Sequence, residues 1–154
     1  MASEQIKLDM PLVDYDKTAS NVMAFLTNEN YYPRLRRICN QANPEHLQSP
    51  RSNGMPGSAG YGNTKEQRML KYLYAKTIVD GVQQTYDKGS NLLKIVLDTV
   101  LGQHSASSAK EKLYVENTRY YELRKKALNE FADILEVQNI NCPDLHIYIV
   151  KKDG

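Results

Sequence analysis

The sequence predicts a mainly α protein, a helical domain ending in a helix-turn-helix, with a short β-strand at each terminus. Three observations predict it. Apolar residues recur at spacings of three and four through several long stretches, the period of a helix with one buried face. Proline and glycine gather in one segment, residues 42–63, and leave the rest of the chain free for regular structure. Ser105 to Leu135 reads as a short helix, a tight turn and a longer basic helix.

The chain accordingly divides into four parts. Residues 1–41 hold a strand and short helices, and 42–63 form a loop or linker. Residues 64–138 make a helical DNA-binding domain with its helix-turn-helix at about 105–135, and 139–154 form a C-terminal strand and tail.

From the amino terminus, Ile6 to Met10 alternates apolar and polar residues, as does Leu145 to Val150 near the other end, so each predicts a short strand, paired with the other or across a dimer. Asp16 is the expected N-cap of a helix to about Thr27 that buries Ala19, Val22, Met23 and Leu26. Tyr31 to Asn40 predicts a second short helix, with Pro33 tolerated in its first turn. Its Arg34, Arg36 and Arg37 read as a solvated charge face, or as auxiliary contacts to phosphate or a partner.

Ala42 to Asn63 contains three prolines and four glycines, too many for a regular element. Its Gly57-x-x-Gly60-x-Gly62 lacks the Gly-Lys-Ser/Thr ending and the preceding strand of a phosphate loop, which argues against nucleotide binding. Asn63 with Glu66, or Thr64 with Gln67, has capping-box spacing for a long helix to about Tyr86. Met69, Leu70, Leu73, Tyr74, Ile78 and Val82 are its expected core side, and Gly81 weakens it locally. Leu92 to Leu101 is a strongly apolar helix closed by Gly102, an expected left-handed cap, and it is the expected scaffold beneath the helix-turn-helix.

In the helix-turn-helix, Ser107 and Ser108 are the expected caps of the first helix, and Leu113 and Val115 close a small core. The turn lacks the usual glycine, so Tyr114 or a neighbour must adopt the left-handed backbone. Lys110 stands where a small residue usually permits close packing. Glu116 is a poor cap, which moves the start of the second helix to Asn117. Tyr120, Leu123, Ala127, Phe131 and Ile134 form its apolar stripe, opposite Thr118, Tyr121, Glu122, Lys125 and Asn129.

That polar face suits a major groove. Lysine reads guanine acceptors, a carboxylate accepts from cytosine, and the carbon surface of Tyr or Thr meets a thymine methyl. Thr118, Tyr121, Glu122 and Lys125 are therefore the candidate base contacts, and Lys112, Arg119 and Lys126, flanking them, the candidate phosphate contacts. Arg124 points nearer the apolar stripe and is expected in a structural salt bridge. The plain alternative is an amphipathic surface helix with solvated charges.

A formal net charge of +2 over 154 residues does not argue for nucleic acid, but its distribution does. Lys110 to Lys126 carries six basic residues against three acidic ones. Most of the eleven tyrosines lie at core spacings, so packing explains them better than stacking on single strands, Tyr121 excepted. Cys39 and Cys142 lack zinc-site spacing and the three histidines stand apart, so free thiols are expected and neither metal nor cofactor is implied. No nucleophile–base pair assembles from local spacing, which argues against an enzyme. With no apolar run of about 20 residues and no secretory signal, a cytoplasmic protein that makes no membrane contact is expected.

Two segments resemble the ArpU/RinA-like regulators of Gram-positive bacteriophages, whose carboxyl half is similar to the promoter-reading end of a sigma factor. Leu113 to Leu135, with Thr118-Arg-Tyr-Tyr and Lys125-Lys-Ala-Leu-Asn-Glu-Phe-Ala, resembles their recognition helix. Leu47 to Asn63 is similar to the Ser-Pro…Gly-Met-Pro…Gly-Asn loop that precedes their helical half. The resemblance implies activation of late phage operons for packaging or lysis in a bacterial host cell. Its implied partners are double-stranded promoter DNA and host RNA polymerase, and a homodimer on repeated half-sites is compatible with so small a module. Two other classes fit the same elements: a DNA-packaging component of small-terminase type, and a protein-only adaptor.

Overall fold

The computed structural model describes residues 9–42 and 62–150. Among these, six helices occur in order: α1 (Tyr15–Thr27), α2 (Tyr32–Gln41), α3 (Gly62–Lys88), α4 (Asn91–Val100), α5 (Ala106–Leu113) and α6 (Asn117–Glu136). The mainly α expectation holds. No helix among the described residues is long and apolar enough to cross a membrane.

The centre of the fold is α6, which packs against α1, α3, α4 and α5, while α2 reaches the body through α1 and α3. Its Ala127, Leu128, Phe131, Ala132 and Leu135 are buried with Val22, Phe25 and Leu26 of α1, Ile78 and Val82 of α3, and Leu93, Val96 and Leu97 of α4. Phe25 links the aromatic core, its ring 6.0 Å from Tyr32 of α2 and 6.5 Å from Phe131. Glu130 ties α6 to the start of α4 by accepting from Ser90 N (2.7 Å) and Ser90 Oγ (2.6 Å), and Ser90 in turn caps Leu93 N.

Several sequence expectations shift in detail. The N-cap of α1 is Asp14, accepting from Lys17 N at 3.0 Å, and Asp16 lies in the first turn with its carboxylate free for another role. The long helix opens at Gly62 and runs to Lys88, slightly beyond both expected ends. Ile78 and Val82 are core, but Leu70, Leu73 and Tyr74 are exposed and Met69 only half-buried; in the amino-terminal half of α3 the fully buried residue is Ala75 instead. Gly81 is a point of close approach rather than only a weak spot: an added Cβ would stand 2.5 Å from Cys142 Sγ.

Cys142 belongs to a carboxyl-terminal strap, residues 137–150, that crosses α1 and α6. Leu145 enters the core, and Asn21 Nδ2 donates to Leu145 O at 2.9 Å. The buried Thr18 hydroxyl accepts from Ile147 N at 2.9 Å. Asp14 N donates to Ile147 O and Ile149 N to Leu12 O, both at 2.8 Å. These bonds frame one antiparallel bridge, Val13 to Tyr148, and no strand forms among the described residues. The alternation at 145–150 therefore marks a pairing segment, whose partner is residues 12–14. Most of the other expected strand, residues 6–10, lies outside the described residues, as does nearly all of the 42–63 loop.

Candidate nucleic-acid interface

Helix α5 is capped by Ser105, whose hydroxyl accepts from Ser108 N at 3.1 Å, so the first serine of the run is the cap and Ser107 and Ser108 sit in the first turn. Ala109 is the fully buried residue of α5 and provides the close packing; Lys110 turns aside, its ammonium 5.7 Å from the centre of the Tyr120 ring and bonded to Asn117 Oδ1. The helix ends in a Schellman arrangement, with Val115 N donating to Lys110 O at 3.1 Å and Tyr114 N to Glu111 O at 3.2 Å. Tyr114 pays the conformational cost, standing at φ 56°, ψ 44°, and it is the only non-glycine residue with positive φ among those described. The same arrangement closes α4, where Gly102 takes φ 82°.

Because the Tyr114 side chain is 95% exposed, little packing opposes its replacement. An L-residue in the left-handed region costs about 1–2 kcal/mol, part of which glycine returns as unfolded-state entropy. Tyr114→Gly is expected to stabilise the fold by about 0.5–1 kcal/mol in denaturant unfolding. A loss of stability would show that the tyrosine contributes contacts outweighing its strain.

After the three-residue turn 114–116, α6 starts at Asn117 as the weak capping of Glu116 predicts; Glu116 makes no side-chain cap bond. Burial along α6 is uneven. Only Tyr120 is buried in its first ten residues, against six in its last ten. The body therefore grips the carboxyl-terminal half and leaves Asn117–Lys126 projecting.

All seven candidate contact residues are exposed. Thr118, Tyr121, Glu122 and Lys125 share one side of the helix, Arg119 and Lys126 flank it, and Lys112 stands on the last turn of α5. Arg119 Nη1 reaches Glu122 Oε2 at 3.0 Å, joining a candidate phosphate contact to a candidate base contact. Arg124 makes no salt bridge among the described residues. Its guanidinium lies 4.6 Å from the centre of the Tyr121 ring, while Tyr120 meets the same ring edge-on at 5.3 Å, so Tyr121 is held from both sides. Lys125 pairs with Asp16 at the start of α1.

Asn129 leaves the polar face, being 5% exposed, with Nδ2 donating to Tyr15 O at 3.0 Å and Lys125 O at 2.9 Å. Sequence periodicity misses this because it assumes one buried stripe of constant direction, whereas α1 lies over the side of α6 that the first half exposes. Comparison with protein-family models, with curated proteins and with solved structures yields no match.

Proposed function

We propose that the chain is a sequence-specific double-stranded DNA-binding regulator of transcription, reading the major groove with the projecting half of α6. The observation that carries this reading is the sequence of an eight-residue helix, a three-residue turn opened by the left-handed Tyr114, and a twenty-residue helix gripped mainly at its far half. A scaffold helix, α4, supports both members, as a helix-turn-helix requires. The projecting half carries exposed hydrogen-bonding and cationic groups, the kinds of group that base edges and phosphates accept.

Thr118, Tyr121, Glu122 and Lys125 meet base edges in this reading, and Lys112, Arg119 and Lys126 meet phosphates. The pairs that occupy Arg119, Glu122 and Lys125 are exposed, so each is worth only about 0–1 kcal/mol and exchanges readily for contacts to DNA. The resemblance to ArpU/RinA-like regulators narrows the role to activation of late packaging or lysis genes, by recruitment of host RNA polymerase or as a dimer on repeated half-sites.

The test is salt-dependent binding of the purified protein to fragments of its own phage genome. Selective binding upstream of late genes, falling steeply as salt displaces phosphate contacts, is the expected result. Binding without selectivity, or none at all, would overturn the reading, and ring-shaped oligomers on packaging-initiation DNA would replace it with a packaging role.

A further inference from the structure

We propose that the junction between the end of α6 and the carboxyl-terminal strap is a binding site for one divalent transition-metal ion of the zinc class, ligated by Glu136, Asp144 and His146. The inference is independent of the DNA reading. The three residues each offer a donor atom, and those atoms lie within 4.8 Å of one another. Two come from the strap and one from the last turn of α6, so no local spacing in the sequence could reveal them.

The imidazole is the part that points to a cation. The His146 side chain is only 6% exposed, and carboxylates face both of its ring nitrogens. Nε2 stands 2.6 Å from Asp133 Oδ1, and Nδ1 stands 2.5 Å from Asp144 Oδ1 and 3.3 Å from Glu136 Oε2. Even with both nitrogens donating, Nε2 to Asp133 and Nδ1 toward Asp144 and Glu136, the ring sets a single positive charge among three carboxylates. A divalent ion on Nδ1 in place of that proton would balance the cluster's charge more fully.

The chemistry and dimensions suit such an ion. One imidazole nitrogen with carboxylate oxygens is a donor set for zinc and its neighbours rather than for calcium or magnesium. Two donors about 2.0–2.2 Å from a tetrahedral zinc stand about 3.3–3.5 Å apart, the separation already found between Nδ1 and Glu136. Asp144 has to open by about 1 Å to reach the same geometry. The outer groups are also in place: Asp133 fixes the ring tautomer, and Tyr148 Oη donates to Asp144 Oδ2 at 2.5 Å. The ion would staple the strap to the helix that carries the projecting face.

The full chain, stripped with chelator, is titrated with Zn2+ by calorimetry and thermal unfolding, and with Co2+ for its visible absorption. One ion per chain, low-symmetry cobalt bands and a rise in Tm of about 5–10 °C at a hundredfold excess over Kd are expected. Binding should weaken at least tenfold in Glu136→Gln and in His146→Gln, and about 10–100-fold in Asp133→Asn, while His104→Gln leaves it unchanged. Glu136 is partly exposed, so its variant keeps the test decisive where the histidine variant fails to fold. No saturable binding, or binding indifferent to Glu136→Gln, overturns the proposal and leaves the junction holding a proton alone.

Discussion

Phe131→Ala is expected to lower the stability of the fold by about 3–5 kcal/mol, with a fall in Tm of roughly 10 °C or more. Phe131 is fully buried on α6 and its ring faces Phe25 of α1 at 6.5 Å. Truncation removes the transfer free energy of the ring and leaves a cavity between α6 and the helices around it, which are held by their own caps and contacts and collapse only in part. The projecting half of α6 has almost no burial of its own, so its geometry depends on this grip. Denaturant unfolding monitored by far-UV circular dichroism measures the loss. A change below about 1 kcal/mol would mean that α6 is not the centre of the core.

The helical class, the six described helices and the left-handed turn were legible because each rests on local chemistry. Periodic apolar residues, Pro33 in a first turn, Gly102 after an apolar helix and the poor capping of Glu116, which moves the next helix start to Asn117, all act within a few residues. What escaped the sequence depends on which element lies beside which. The period of α3 marks Leu70, Leu73 and Tyr74 as core, yet all three are exposed. The period of α6 marks Asn129 as polar face, yet α1 covers it. Helical spacing says that a residue shares a face with others; it does not say what that face meets.

The candidate interface shows the same division. Its seven residues were found from spacing, and all are exposed, but spacing does not give their present partners. Lys125 is held by an aspartate more than 100 positions away, and Arg124 stacks on Tyr121 where a carboxylate was expected. The carboxylate–imidazole cluster is the extreme case. His146, isolated from any ligand spacing in the sequence, gains Asp133 and Glu136 only when the strap folds back on α6.

Under the proposed DNA-reading role, removing the candidate base-edge groups and removing the candidate phosphate groups should have separable effects on DNA binding. Each good base contact discriminates by about 1–3 kcal/mol, so Thr118→Ala combined with Tyr121→Ala is expected to weaken binding to the preferred site by roughly 30-fold or more while leaving non-specific affinity nearly intact. Lys112→Ala and Lys126→Ala should instead weaken binding to every sequence and reduce the salt dependence by about one unit of slope for each charge. Lys125 joins the two cases. Its Asp16 partner is 77% exposed, and such a pair costs about 0–1 kcal/mol to break, less than a base contact returns. Lys125→Ala should therefore lower discrimination by about 1–3 kcal/mol. Asp16→Asn, which frees the lysine and removes a negative charge beside the groove face, should tighten binding a few-fold at low salt, an advantage that fades as salt rises. Titration of each variant against preferred and scrambled duplexes at several salt concentrations reads all of these effects together. An Asp16→Asn variant that binds more weakly, with Lys125→Ala unchanged in specificity, would mean that the pair orients α6 and that Lys125 never leaves α1 to reach a base.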